Sequence, residues 1–165
     1  MRAVHLTAIG CLVAALAPAR ADQWSVEKAG FNLYRITGQT IQGQSVFIRT
    51  DGCDEAPDKG VVNVQKDGST RRLTFSGSGA SCAVRDFLVP VEIQGDRYSV
   101  RLTRDQSSNW YRVTDGDLYL KTAACVSRSI SESAMLDLRR DGTGWAYFAD
   151  GRKCVVEHAF RPFNP

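Results

Sequence analysis

Phe47-Ile48-Arg49-Thr50-Asp51-Gly52-Cys53 and Tyr119-Leu120-Lys121-Thr122-Ala123-Ala124-Cys125 carry one pattern twice: aromatic, aliphatic, basic, threonine, two further residues, cysteine. Working outward from this pair, Tyr34-Arg35-Ile36-Thr37 matches Tyr111-Arg112-Val113-Thr114. Val62-Asn63-Val64-Gln65-Lys66-Asp67-Gly68-Ser69 matches Leu136-Asp137-Leu138-Arg139-Arg140-Asp141-Gly142-Thr143. Cys82-Ala83-Val84 matches Cys154-Val155-Val156, and a phenylalanine follows each, Phe87 and Phe160. Unrelated β-hairpins share alternation and Asp-Gly turns. Four blocks in the same order, with both cysteines aligned, point instead to an internal repeat covering about 31–90 and 108–162.

The N-terminus changes the cysteine count. Residues Met1 to Ala21 have a basic start at Arg2, a mostly apolar run from Ala3 to Leu16, a break at Pro18 and a small-x-small ending, Ala19-Arg20-Ala21. That is the pattern of a signal peptide over 1–21. The apolar run is shorter than the roughly 20 residues a spanning helix needs. Cys11 follows Ala8-Ile9-Gly10, but Ala8 stands where a lipoprotein signal carries leucine. Cleavage leaves a single β-rich domain, 22–165, with four cysteines: Cys53, Cys82, Cys125 and Cys154. An even number in an exported chain implies disulfides. The equal spacing of 29 residues within each unit assigns the bridges as Cys53–Cys82 and Cys125–Cys154. A zinc site needs close cysteine pairs or accompanying histidines, and this sequence has neither arrangement.

Most segments alternate apolar and polar residues with period two, the pattern of half-buried strands. The expected fold is all-β, an antiparallel sandwich or barrel of about ten short strands built from two duplicated units and stapled by two disulfides. Asp67-Gly68, Asp115-Gly116, Asp141-Gly142 and Asp150-Gly151 mark its turns. Pro90 limits the strand before it to an edge or a break. Ser129-Ile130-Ser131-Glu132 has capping-box spacing, so at most one helical turn is expected there before a strand from about Leu136. Trp24 is expected to dock the leader onto the body.

Without Arg2 and Arg20 the net charge falls from +3 to +1, which does not suggest a surface built to neutralise nucleic-acid phosphates. No later apolar run is long enough to cross a membrane. His158 is the single histidine after cleavage and reads as a strand-end surface residue rather than a catalytic base. Asp51, Asp54, Glu55 and Asp58 cluster around Cys53 but lack the alternating positions of a calcium loop. They read as a solvated loop and as a candidate recognition site. Ser76-Gly77-Ser78-Gly79-Ala80-Ser81 has glycine but no phosphate-loop lysine, and reads as a hairpin end. Trp110, Tyr111, Tyr119, Trp145, Tyr147 and Phe148 concentrate aromatics in the second unit, either as packing or as a stacking platform. No metal, cofactor or catalytic residue is assigned.

Three functions fit this profile. The first is an exported, non-enzymatic binding module, an inhibitor or immunity-type protein with a protein partner outside the cytoplasm, periplasmic or secreted. The second is a small hydrolase using paired carboxylates. The third is a structural envelope component.

Overall fold

Short strands punctuated by tight turns twist, and a twisted sheet of this many strands closes on itself or splits. The computed structural model describes residues 22–53, 56–105, 109–123, 125 and 130–165. They form twelve strands and no helix. The strands are β1 (Asp22–Gly30), β2 (Leu33–Ile41), β3 (Gln44–Asp51), β4 (Lys59–Asp67), β5 (Thr70–Phe75) and β6 (Ser81–Pro90). They continue as β7 (Asp96–Arg104), β8 (Trp110–Val113), β9 (Tyr119–Ala123), β10 (Ser131–Leu138), β11 (Gly144–Phe148) and β12 (Lys153–Phe163). Every pairing is antiparallel.

The first six strands run in the order β6–β3–β2–β1–β4–β5, and β5 pairs back to β6. This is a closed six-stranded barrel. Its first four strands form a Greek key, and the β5–β6 hairpin completes the ring. The last six run β12–β9–β8–β7–β10–β11, with β11 returning to β12. The second order is the first shifted by six. Even the irregularities coincide. Against Arg49 and Thr50 of β3, β6 offers Asp86 and Val84, leaving Arg85 as a bulge. Against Lys121 and Thr122 of β9, β12 offers His158 and Val156, leaving Glu157 as the same bulge.

The barrels are joined by their last strands. Phe160 faces Pro90, Arg161 faces Val89, Pro162 faces Leu88 and Phe163 faces Phe87. If residues 72 apart are equated, as Cys82 is with Cys154, this ladder is symmetric about the Val89–Arg161 pair. Each closing strand therefore runs past its own ring onto the other one. Beyond β6, Val91 donates its N–H to the Ala159 carbonyl (3.0 Å) and Ile93 to the Arg140 carbonyl (3.0 Å), both in the second barrel. Beyond its own ring, β12 places Phe163 against Phe87 of the first, ring centroids 5.9 Å apart.

Alternation fills each lumen. In β10, Ala134, Leu136 and Leu138 point inward; in β11, Ala146 and Phe148 do. Tyr34 packs on Phe75 (5.4 Å) in one barrel and Tyr111 on Phe148 (5.9 Å) in the other, at matching strand positions. Full burial of such side chains contributes roughly 1.5–3 kcal/mol each. Cys53–Cys82 and Cys125–Cys154 are bonded, each with Cα atoms 5.3 Å apart and each tying the chain beyond the third strand of its barrel to the sixth. A third, smaller cluster of Leu33, Leu88, Trp110 and Phe160 fills the seam between barrels.

The strand count is twelve rather than about ten, because Asp22–Gly30 is a strand with no clear alternation signal. Trp24 docks the N-terminal segment of the described residues onto the body, as part of a strand. It lies in β1 between β2 and β4 and packs edge-on against Phe87 at 5.6 Å. Pro90 does end its strand, yet β6 is no edge: it pairs with β3, β5 and β12. The segment from Ser131 is strand, and Ser129 lies outside the described residues. So does the expected signal peptide, 1–21.

Candidate functional site

Three places gather chemistry-bearing side chains. The first is the seam. Arg49 is basic in a strand whose neighbours Ile48 and Thr50 are also buried. Its guanidinium is 5% exposed and sits between two carboxylates, Asp86 on β6 and Asp105 just past β7, each at 2.5 Å. Trp110 and Tyr119 of the second barrel face it, with ring centroids 5.2 and 4.9 Å from its central carbon. Burial and the nearby Asp86 push the Tyr119 hydroxyl pKa up. Arg85, bonded to Asp51, adds a second cation beside these acids, and its own pKa is raised first by that bond. A planar fork can satisfy two carboxylates at once where an ammonium cannot. Asp86 and Asp105 thus flank one guanidinium from two different barrels.

The second place is the acidic loop. Asp51 pairs with Arg85, and Asp58 lies 3.3 Å from Lys28 on β1. These two acids are thus drawn to different cations. Asp54 and Glu55 lie outside the described residues. Among the described residues, no group of three or more metal-ligating side chains occurs. His158 is exposed on β12, opposite Lys121. Partial burial, then the Lys121 charge, hold its imidazole pKa below the ordinary 6.5.

The third place is the outer face of β10, β11 and β12. The aromatics that the sequence groups together divide here, and on β11 they do so by strand parity. Trp110, Tyr111 and Phe148 are buried, whereas Trp145 and Tyr147 are 36% and 37% exposed. Register sets Met135 beside Tyr147 and Tyr147 beside Lys153; Trp145 lies between Asp137 and Val155. Met135 and Val155 are exposed too. The Lys153 ammonium rests 3.7 Å from the Trp145 ring centroid and 5.2 Å from that of Tyr147. This cation–π contact fixes both rings on the surface. Arg97, Arg101 and Ser99 of β7 border an open depression of about 840 Å³ beside Met135 and Tyr147.

The first barrel shows what the scaffold itself requires at this place. Counting from Phe75 and Cys82, the counterparts of Phe148 and Cys154, the outward positions on β5 and β6 hold Arg72, Thr74, Ser81 and Ala83. There Arg72 and Thr74 both donate to the Ser81 hydroxyl, at 3.3 Å. Two counterparts are apolar and exposed there as well: Val61 at the place of Met135 and Ala83 at that of Val155. Where the first barrel carries Arg72, Thr74 and Ser81, the second carries Trp145, Tyr147 and Lys153. From sequence, Trp145 and Tyr147 fell in one group with Trp110, Tyr111, Tyr119 and Phe148, as packing or as a stacking platform; the signal that separates them is their i, i+2 spacing, out of phase with Ala146 and Phe148.

No family model, no characterised protein and no solved structure matches the chain.

Proposed function

We propose that this chain is a non-enzymatic binding module that works outside the cytoplasm and engages a protein partner, in the manner of an inhibitor or immunity-type protein. The observation that carries this reading is the outer face of β10–β12, where Met135, Trp145, Tyr147 and Val155 are exposed, whereas the same places in the first barrel hold Val61, Arg72, Thr74 and Ala83 and no aromatic ring. Tryptophan, tyrosine, methionine and arginine are the residue types that dominate the centres of protein interfaces. Arg97 and Arg101 stand at the border of this patch. Both rings of strands close, which favours recognition by side chains over addition of a partner strand to a free edge. Two buried disulfides are compatible with an oxidising compartment. The two units and their shared irregularities fit a duplication after which one copy gained the binding face.

The test compares the oxidised protein with Trp145→Ser/Tyr147→Ser as bait in extracytoplasmic extract. The reading expects one protein retained by the parent and lost from the double variant, with melting temperature nearly unchanged. Equal retention by both baits excludes this face as the recognition surface. Retention by the parent that is lost in Asp54→Ala/Glu55→Ala places recognition in the acidic loop instead.

A further inference from the structure

Each barrel has a small apolar hollow at one mouth, and the two hollows occupy equivalent places. In the first, Trp24, Ile36, Val46, Ile41, Phe87 and Phe163 surround about 320 Å³. In the second, Tyr98, Val113, Leu118, Val100, Leu136 and Ile93 surround about 290 Å³. Trp24 corresponds to Tyr98, Ile36 to Val113 and Val46 to Leu118 by strand position. The identities differ at all three, yet the space remains: the ring shrinks from Trp to Tyr and one aliphatic from Ile to Val, while the other grows from Val to Leu. The covers are equivalent as well. Asn164 and Pro165 follow β12 and border the first hollow; Glu92 and Ile93 follow β6 and border the second. Each mouth is thus bordered by the segment that crosses over from the other ring.

Both hollows are partly open to solvent and walled mainly by apolar side chains, so an apolar molecule seated in either would bury its own surface and theirs. Barrel mouths are a recurrent location for ligand sites. Neither hollow is lined by a basic side chain, and a charge buried among these walls would lose its hydration without a partner. Glu92 at the second rim faces Arg140 at 3.3 Å and is already partnered. We infer that the two barrel mouths are equivalent binding sites for a small uncharged apolar molecule, a medium-length alkyl chain or a fused aromatic ring. This inference is independent of the aromatic face of β10–β12.

The probe is 1-N-phenylnaphthylamine, a neutral dye that fluoresces in apolar surroundings, titrated into the full oxidised protein. Saturable binding is expected, with quenching of Trp24 by energy transfer and displacement by decanol. Ile41→Trp narrows the first mouth and Val113→Trp the second. Each should remove about half the signal amplitude and weaken its own site about tenfold, a change of about 1.4 kcal/mol. Their combination should abolish binding, and Trp145→Ser/Tyr147→Ser should leave the titration unchanged. Non-saturating uptake, indifference to both mouth variants, or loss with the Trp145/Tyr147 pair overturns the inference. Where a mouth variant does not fold, magnetisation transfer from dye protons to the Ile36 and Val113 methyl groups of the parent protein decides, and its absence overturns it.

Discussion

Replacing Arg49 by methionine removes the guanidinium lodged between Asp86 and Asp105 while keeping much of the side chain's length and apolar stem. Arg49 is 4% exposed as a residue, and the two carboxylates are 20% and 19% exposed. Each unlike pair at close range is worth about 4 kcal/mol gross at an effective dielectric near 20, most of it offset by lost hydration. What counts is the imbalance left behind: two carboxylates in a half-dry seam with no guanidinium between them. Removing one member of a buried pair costs about 3–5 kcal/mol. Loss of the stacking over Trp110 and Tyr119 adds about 0.5–2 kcal/mol. Denaturant unfolding followed by tryptophan fluorescence should show this loss, and because Trp110 lies in the seam its signal should change first. Arg49→Lys, which keeps charge but not the fork, should lose about half as much. Arg49→Met combined with Asp86→Asn and Asp105→Asn should recover most of the stability, since neutral replacement of a whole buried cluster is close to neutral. A single variant within about 1 kcal/mol of the parent, or a triple variant no better than the single one, refutes the assignment of the seam's strength to charge pairing.

Four further outcomes are expected. Gly144 has φ 153°, and an added Cβ would lie 2.1 Å from the Asp137 carbonyl oxygen, so Gly144→Ala should cost about 3 kcal/mol or more by thermal unfolding. Gly52→Ala, with positive φ but open space, should cost about 1 kcal/mol. Tyr34 Oη is buried without a hydrogen-bond partner among the described residues, whereas Tyr111 Oη donates to Cys125 Sγ at 3.4 Å. Tyr34→Phe should therefore be neutral or gain about 1 kcal/mol in urea melts, while Tyr111→Phe should lose a few tenths. Because the folded His158 pKa is depressed, its neutral form is favoured on folding; stability should fall as pH drops from 6.5 toward the lower folded value. His158→Gln should flatten that part of the profile, and an unchanged slope counts against the depressed titration. Peptide mapping should return only the Cys53–Cys82 and Cys125–Cys154 bridges, and opening either by paired Cys→Ser change should cost about 3–4 kcal/mol for a loop of 29 residues.

The cysteine spacing and the matched strand blocks made the bridges and the all-β class legible, because both rest on local chemistry: period-two alternation and turn residues. Closure was harder to read. Whether strands make a sandwich or a ring depends on which of them pair, and that is decided by contacts far apart in sequence, as between β1 and β4 or β5 and β6. Asp22–Gly30 escaped notice because its outward residues, Gln23, Ser25 and Glu27, are followed by Ala29 and Gly30, which blur the alternation. Nothing in the alternation of Phe47-Ile48-Arg49-Thr50 marks Arg49 as buried. It is buried because the second barrel covers that face, and no single-strand pattern announces a neighbouring barrel. Its counterpart Lys121 keeps a simpler pairing with Glu157. Asp51 and Asp58 seemed alike by proximity in sequence, yet they serve different cations on β6 and β1.

The crossing of the two closing strands has a consequence for biosynthesis. A chain made from its N-terminus can complete the β1–β6 ring and the Cys53–Cys82 bond before the second barrel exists, since no strand of that ring comes from later sequence. What it cannot do is finish its mouth, because Phe163 reaches Phe87 only when the last strand arrives. During that interval Phe87 lacks its contact with Phe163, and Phe87 to Pro90 of β6 lack the strand that will later pair with them. The end of β12 thus acts as the seal on a ring already built from residues 22–90.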